Sequence, residues 1–227
     1  MGGVGEKAEC GWADEWTEKL EQYRGRKIRA ERDMHPCGHR SGECVMVGTF
    51  VKRPCQCCLI PQTFERLFNA CDAIVYVSPA QRKMIDAIIT VSTPGFLIAP
   101  PVDFRQFRNF KSSIRLEKYA LAIGDSLRVS DEAERLASSH GYKLIRLKSG
   151  SVTHEKMPEV FNRYSAVVIA PRIFHACSRV AIEAMACGCK VLTNGLCGAS
   201  SWTDPVAASM TSNSEFWDVV LPRNVDV

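Results

Sequence analysis

One carboxylate stands alone in the segment SRVAIEAMACGCKVLTN, residues 178–194, which otherwise carries small and apolar side chains between Arg179 and Lys190. That carboxylate is Glu183, and apolar residues around it cover every face of the predicted helix. A helix that is apolar all round belongs in a core, and glutamate is rarely buried there without a partner. Two interpretations stay open: Glu183 emerges at the one exposed point of the helix, or it faces a polar ligand.

The position of this helix in the chain favours the ligand. The apolar strand AVVIAP and the loop RIFHACS come directly before it, so the helix begins at the carboxyl end of a strand. There the free N–H groups of Cys177, Ser178 and Arg179, together with the helix dipole, attract phosphate. A carboxylate at Glu183, about one and a half turns further along and on the crevice side, can accept hydrogen bonds from the two hydroxyls of a ribose. A phosphate and a diol held in this order predict a nucleotide.

The elements after residue 62 must position this helix. Short apolar strands alternate with helices of about ten residues, as expected for a parallel sheet that is covered on both faces. We predict an α/β fold, with a doubly wound parallel sheet in residues 102–227. Ligands of such sheets bind at the carboxyl ends of the strands. The predicted strands read AIVYVS, GFLIAPP, YALAIG, YKLIRL, AVVIAP and CKVLTN.

Residues 1–101 predict a smaller lobe with a Cys-rich segment. One amphipathic helix, WADEWTEKLEQYR, and one strand, KIRAER, come before that segment. Tetrahedral zinc needs four converging Cys or His ligands and holds together a lobe that has little core. No CxxC pair occurs, however, so a structural zinc and a loop of reduced thiols both stay open. The candidate ligands lie in residues 35–58: Cys37, Cys44, Cys55, Cys57 and Cys58, with His35 and His39.

The composition is that of a folded globular protein. Of the 227 residues, 46% are hydrophobic, and the formal net charge of +4 is too small to indicate a nucleic-acid partner. No segment has the pattern of a membrane span or of a signal peptide, so we expect a cytoplasmic location. Cysteines in that reducing compartment are thiols or metal ligands. Four of them lie among apolar residues and predict core packing: Cys177, Cys187, Cys189 and Cys197.

Residues 157–200 resemble the donor-binding half of the retaining glycosyltransferases with the B-type fold, family four (glycosyl transferases group 1) in particular. The family phrase EPFGRVVLEAMACGCPVV carries two glutamates, and this chain matches it as SRV at 178–180 and EAMACG at 183–188. AIVYVSPAQ, FLIAPPVDFRQF and LAIGDS resemble the end of the family's first domain, its interdomain linker and the first turn of its donor domain. The likeness covers residues 62–210.

The resemblance implies two Rossmann-like lobes, the N-terminal one truncated and Cys-rich and the C-terminal one holding the donor. The implied domains are residues 1–101 on the acceptor side and residues 102–227 on the donor side, with the last helix crossing back. Fewer residues precede the linker than family members carry there. We therefore expect an acceptor site that is rudimentary or is completed by a partner subunit or a second copy.

Site residues follow from the same match. His175 occupies the position of the family's first glutamate, which touches the transferred sugar, and Glu183 occupies that of the second, so both are assigned as catalytic. Gly124 belongs to the turn after the first donor-domain strand. The family's Arg and Lys for the diphosphate are out of register, which leaves Arg128 and Arg179 as the cations. A histidine in place of the glutamate brings no negative charge, so altered sugar binding, lost catalysis and a solvated surface histidine stay open.

The implied activity is transfer of a hexosyl unit, with retention, from a nucleotide diphosphate sugar to a hydroxyl of a glycan, lipid or protein. No catalytic metal is expected, because family members hold the diphosphate with cations and a helix N-terminus. Two alternatives stay open. One is a degenerate nucleotide-sugar-binding or scaffold subunit that needs a partner, and the other is a nucleotide-sugar epimerase of the same fold.

Overall fold

The computed structural model describes residues 18–24, 27–31, 60–87, 89–111, 114–124, 131–171 and 174–220. Two compact units divide the chain, residues 1–98 and residues 99–227. Among the described helices, none is long and apolar enough to cross a bilayer. Several predicted site residues lie outside the described ranges: Cys37, Cys44, Cys55, Cys57, Cys58 and Arg128.

The first unit contains a three-stranded parallel sheet. Its elements are β1 (Ile28–Glu31), α1 (Ile60–Asn69), β2 (Ala73–Tyr76), α2 (Pro79–Asp86) and β3 (Gly95–Leu97), and residues 18–22 are also helical. β2 lies between β1 and β3, with Ala73 opposite Ile28 and Ile74 opposite Gly95. All four residues of β2 are buried, so both faces of this central strand are covered.

Local sequence signals set the start of α2. Ser78 has an extended backbone, and its Oγ accepts a hydrogen bond from the N–H of Gln81 at 3.1 Å. Pro79 takes the first helical position, where a backbone N–H would have no acceptor within the helix, so the lack of an N–H in proline costs no hydrogen bond. Ser and Pro in this order predict the helix start that the structure has.

The second unit contains a four-stranded parallel sheet. Its strands are β4 (Leu116–Ile123), β5 (Lys143–Leu147), β6 (Tyr164–Ile169) and β7 (Lys190–Thr193), in the order β5-β4-β6-β7. Its helices are α3 (Asp131–Ser139), α4 (Met157–Arg163), α5 (Arg179–Ala186) and α6 (Pro205–Glu215). Single 3-10 turns at His154–Lys156 and Gly198–Ser201 come before α4 and α6.

Helices cover both faces of this second sheet. Ala120 and Ala122 of β4 belong to a buried cluster that includes Ala133 of α3. Leu121, the residue between them, belongs to a second cluster that includes Phe161 of α4 and part of α5. Successive side chains of a strand point to opposite faces, so α3 covers one face while α4 and α5 cover the other. The predicted doubly wound sheet is confirmed.

The strand order creates a crevice at one place. From β4 the chain passes through α3 to β5 on one side, and then returns through α4 to β6 on the other side of β4. Such a reversal leaves a gap outside the carboxyl ends of the two central strands, where α/β sheets bind ligands. In this unit the gap lies at the ends of β4 and β6.

Candidate functional site

A cavity of about 300 Å³ lies at this strand-end crevice. Ile123 at the end of β4 and residues 167–169 of β6 supply apolar lining, and the start of α5 completes it. The strand order and the helix start thus bring predicted site residues to one cavity. Four residues that the sequence assigns to the site line it together: His175, Cys177, Ser178 and Arg179.

Gly124 directly follows the lining residue Ile123. Its φ of 132° lies where residues with a side chain are strained, so the turn at the end of β4 requires glycine. The N–H of Gly124 donates to the carbonyl of Leu147, at the end of β5, at 3.1 Å. This bond extends the pairing of β4 with β5 by one residue, at the edge of the sheet beside the cavity.

The N-terminus of α5 is capped by its own sequence. Ser178 has an extended backbone, and its Oγ accepts a hydrogen bond from the N–H of Ala181 at 3.4 Å. Burial, with the nearby Cys197, raises the pKa of the Cys177 thiol to about 12. A neutral buried thiol is a poor nucleophile and a poor metal ligand, so Cys177 contributes backbone and small size to the lining. The predicted core cysteines are all buried free thiols: Cys177, Cys187, Cys189 and Cys197.

His175 is held through its backbone. Its N–H donates to the carbonyl of Leu196 at 2.8 Å, and its carbonyl accepts from the N–H of Gly198 at 2.8 Å, in a parallel bridge to Cys197. These bonds tie the loop before α5 to the segment after β7. The side chain of His175 is exposed, so it is accessible from the cavity that it lines.

Glu183 lies about one turn into α5 and is not among the residues that line this cavity, unlike Arg179 and Val180 at the start of the same helix. Its side chain is 6% exposed, so the interpretation that Glu183 emerges at an exposed point of the helix is wrong. Oε1 lies 3.1 Å from Nε2 of His154 and 3.9 Å from Nε of Arg179. From the residues that the structure describes, the second oxygen, Oε2, receives no hydrogen bond. Burial therefore leaves part of the accepting capacity of this carboxylate unfilled.

His154 is the functional candidate that sequence reasoning missed. It begins the 3-10 turn after β5, so it lies at the same edge of the sheet as the cavity. Its ring packs against Phe107 with the ring centroids 5.0 Å apart, and its carbonyl lies 3.4 Å from the donating Nε2 of Gln106. The sequence does contain one indication of this role, which is the position of His154 after a predicted strand. A histidine in a loop after the carboxyl end of a strand lies where such sheets bind ligands.

The two helix starts near the cavity carry opposite charge. α3 begins with Asp131 and Glu132, whereas Arg179 is the first residue of α5. Nδ2 of Asn194 donates to Glu132 at 3.1 Å and to the carbonyl of Pro171, a lining residue, at 2.9 Å. Because like charges repel, the α5 side of the cavity is electrostatically the more favourable side for an anion.

Within the described ranges, His, Cys, Asp and Glu side chains nowhere form a group of three that is placed to hold a metal ion. The five cysteines proposed as zinc ligands lie outside those ranges. The zinc hypothesis therefore stays a prediction.

Three solved structures resemble this one over most of the chain. A sucrose-phosphate synthase from Thermosynechococcus elongatus matches 92% of the chain, with a TM-score of 0.56 and 12% identity, and 62% of that protein is covered. TarM matches 90% of the chain, with a TM-score of 0.53 and 15% identity, and 47% of it is covered. Anabaena Alr3699/HepE, in complex with UDP and glucose, matches 92%, with a TM-score of 0.52 and 10% identity, and 73% of it is covered.

These three proteins have the B-type glycosyltransferase fold. This chain has the same fold. The predicted class, an α/β protein with parallel sheets in Rossmann-like lobes, is thus confirmed. The chain spans 62% of the length of the sucrose-phosphate synthase and 47% of that of TarM. No protein-family model matches the chain, and a search of curated proteins finds no significant match.

Proposed function

We propose that the cavity at the start of α5 binds a nucleotide diphosphate sugar and that the chain transfers the sugar to an acceptor hydroxyl. Glu183 carries this proposal, because its nearly buried carboxylate has one oxygen held by His154 and the other without a donor among the described residues. A buried acceptor left unpaired costs about 1–3 kcal/mol. The hydroxyls of a ribose remove that cost.

In the proposed complex, the diphosphate lies against the N–H groups of Cys177, Ser178 and Arg179. The dipole of α5 and the exposed guanidinium of Arg179 favour an anion there, and the acidic start of α3 disfavours it on the other side. The ribose reaches Glu183 beside His154 and Arg179, whose side chains are 51% and 59% exposed. The transferred sugar lies next to His175, which lines the same cavity.

The proposed reaction breaks the bond between C1 of the sugar and the diphosphate oxygen and forms a bond from C1 to the acceptor oxygen. The proton of the acceptor hydroxyl passes to the leaving diphosphate. Negative charge grows on that diphosphate as the bond breaks, so Arg179 and the start of α5 stabilise the transition state more than the bound donor.

Retention, a hexose as the sugar and membership of family four are finer parts of the proposal. The match of SRV at 178–180 and EAMACG at 183–188 to the family phrase supports them. A UDP sugar is the first donor to test, because the Anabaena protein of the same fold was solved with UDP and glucose.

A second candidate function is nucleotide-sugar binding without turnover, in a subunit that works with a partner. His175 favours it, because a neutral imidazole stands where the family has a sugar-contacting glutamate. Glu183 and the α5 start serve both functions equally. Turnover is therefore the measurement that separates the two.

The first experiment is calorimetry of the full chain with UDP, GDP and ADP, followed by hydrolysis and transfer assays with the corresponding glucose donors. Binding with turnover supports the transferase, and binding without turnover supports the binding subunit. If none of the three nucleotides binds at millimolar concentration, the nucleotide site is wrong and both candidate functions are withdrawn.

Glu183→Gln tests the residue that carries the proposal. Removal of one charged hydrogen-bond partner from a ligand costs about 1.5–3 kcal/mol, so the Kd for the nucleotide should rise roughly ten- to a hundredfold. The matched control is Glu159→Gln, which removes the same charge from an exposed position on α4 of the same unit. Equal Kd values for the two variants contradict a role of Glu183 in binding.

A further inference from the structure

We infer that His154 is a positioning residue, which fixes the orientation of the Glu183 carboxylate and leaves one of its two oxygens for the ribose. A carboxylate only accepts hydrogen bonds, so Nε2 of His154 carries the proton of the 3.1 Å contact with Oε1. A half-turn of the carboxylate about its last torsion only exchanges two equivalent oxygens, and a smaller turn breaks this bond. The bond therefore fixes the plane of the carboxylate, with one oxygen at Nε2 and the other left for the ligand. The inference rests on the proposed nucleotide function and adds a residue to it.

His154 has a contact at its ring and another at its backbone. Its ring packs on Phe107, with the centroids 5.0 Å apart and the planes tilted by 51°. Phe107 is 1% exposed, and its N–H donates to the carbonyl of Asp103 at 2.8 Å, so the surface under the imidazole is part of the core. Nε2 of Gln106 approaches the carbonyl of His154 at 3.4 Å. The half-exposed imidazole is thus supported on one face by Phe107, and the Gln106 contact restrains the backbone that carries it.

Arg179 does not provide the same restraint on Glu183. Its Nε lies 3.9 Å from Oε1, beyond the reach of a normal hydrogen bond, and its side chain is 59% exposed. A long exposed side chain at the start of α5 is free to bind the diphosphate. The two partners of Oε1 therefore have different roles in the proposed complex: His154 orients the carboxylate, and Arg179 binds the diphosphate.

The experiment measures discrimination between ribose and 2′-deoxyribose. Calorimetry gives Kd for UDP and 2′-deoxy-UDP, and for the GDP and ADP pairs, with the unaltered full chain and with three variants. His154→Phe keeps a ring against Phe107 and removes the donor. His154→Gln supplies a new N–H donor at similar reach, and His154→Met has similar volume without one.

In the unaltered chain the ribonucleotide should bind more tightly than its deoxy analogue. His154→Phe and His154→Met should lower that ratio of Kd values roughly three- to tenfold, the worth of a single hydrogen bond, with little change for the deoxy analogue. His154→Gln should restore most of the ratio. A purely structural role predicts instead that both affinities fall together and that Gln and Met behave alike.

The outcomes separate this inference from the function on which it rests. If the unaltered chain shows no preference for ribose, the diol role of Glu183 fails, and the positioning role fails with it. If Glu183→Gln removes the preference while His154→Phe and His154→Met keep it in full, the proposed function stands and the positioning role is overturned.

Discussion

His175 and Glu183 differ in how much the protein constrains their side chains. His175 has its backbone bonded on both sides and its side chain exposed. Glu183 is 6% exposed and shares Oε1 with His154 and Arg179. Substitution at His175 therefore changes the chemistry of the cavity with little effect on stability, whereas substitution at Glu183 also disturbs its partners.

We predict that His175→Glu raises the rate of donor turnover several-fold or alters which sugar is accepted. It restores a carboxylate where the family has one, and a surface substitution should alter the free energy of unfolding by less than about 0.5 kcal/mol. Turnover of UDP-glucose and of other UDP sugars, with melting temperature as the check on folding, gives the answer. His175→Ala is the companion variant. If neither change affects binding or rate, His175 is a bystander and the family alignment fails at that end.

At the scale of one element, α5 is anchored at both ends. Ser178 caps its start, and Arg115 donates to carbonyls at its end, where the last oxygens of a helix have no partner within it. The guanidinium of Arg115 bonds to the carbonyl of Cys187, to that of Gly188 at 3.2 Å and to that of Tyr164 at 2.9 Å. One cation thus ties the end of the helix that carries Glu183 to the start of β6.

Arg115→Ala should lower the free energy of unfolding by about 2–3 kcal/mol, because three backbone carbonyls lose a charged donor together. Urea unfolding followed by circular dichroism measures this change. Arg105→Ala is the control, since Arg105 is exposed in the same unit and a surface change of this kind costs less than about 0.5 kcal/mol. Equal midpoints for the two variants contradict the anchoring role of Arg115.

Gly188 lies next to the guanidinium of Arg115, which also bonds to its carbonyl. Its φ is +83°, and an added Cβ meets Nδ2 of Asn109 at 2.6 Å and Nη2 of Arg115 at 3.0 Å. Gly188→Ala should therefore cost about 1–2 kcal/mol for the left-handed backbone and about 1–3 kcal/mol more for displacing these groups. Gly141→Ala isolates the backbone cost, because Gly141 has a φ of +79° and open space around it. If both glycine variants unfold at the same urea concentration, the close approach at Gly188 is unimportant.

The parts of this element that were predictable have local causes. The apolar strand before α5, its start at Ser178 and the glycine at its end are visible in short windows of sequence, and the nucleotide hypothesis followed from their order. The partners of Glu183 and of the helix end are not visible there. His154 is 29 positions from Glu183, and Arg115 is 72 from Cys187. Such pairs form when loops that are distant in sequence, and that have no periodic pattern of apolar residues, meet in the folded chain. No short window of sequence therefore contains both members of a pair.

At the scale of the whole molecule, five of the eleven cysteines lie in the described part of the chain, and six, the five zinc candidates and Cys10, lie outside it. All five in the described part of the chain are buried free thiols, four of them in the second unit. The zinc candidates of the Cys-rich segment lie outside it. Whether that segment binds zinc stays a prediction, for which about one equivalent of metal in protein prepared without added zinc is the expected result.

The buried thiols make alkaline pH a probe of the second unit. Burial raises the pKa of Cys177 and Cys187 to about 12 and that of Cys189 to about 11, above the ordinary thiol value of 9.0. A pKa raised by folding means that below pH 9 both states are protonated and stability is complete. Above it the unfolded chain releases protons that the folded chain keeps, so stability falls with rising pH up to about 11–12.

We therefore predict that the urea-derived free energy of unfolding declines between pH 9 and 11. Each such thiol contributes a slope of about 1.4 kcal/mol per pH unit where only the unfolded state is deprotonated. Tyrosine and lysine also titrate in this range, so the slope is compared between the unaltered chain and Cys187→Ala. The variant loses some stability at every pH because it leaves space in the core, but its alkaline slope should be shallower by about that amount. Parallel curves for the two proteins would mean that Cys187 is accessible to solvent in the folded chain, contrary to its 0% exposure.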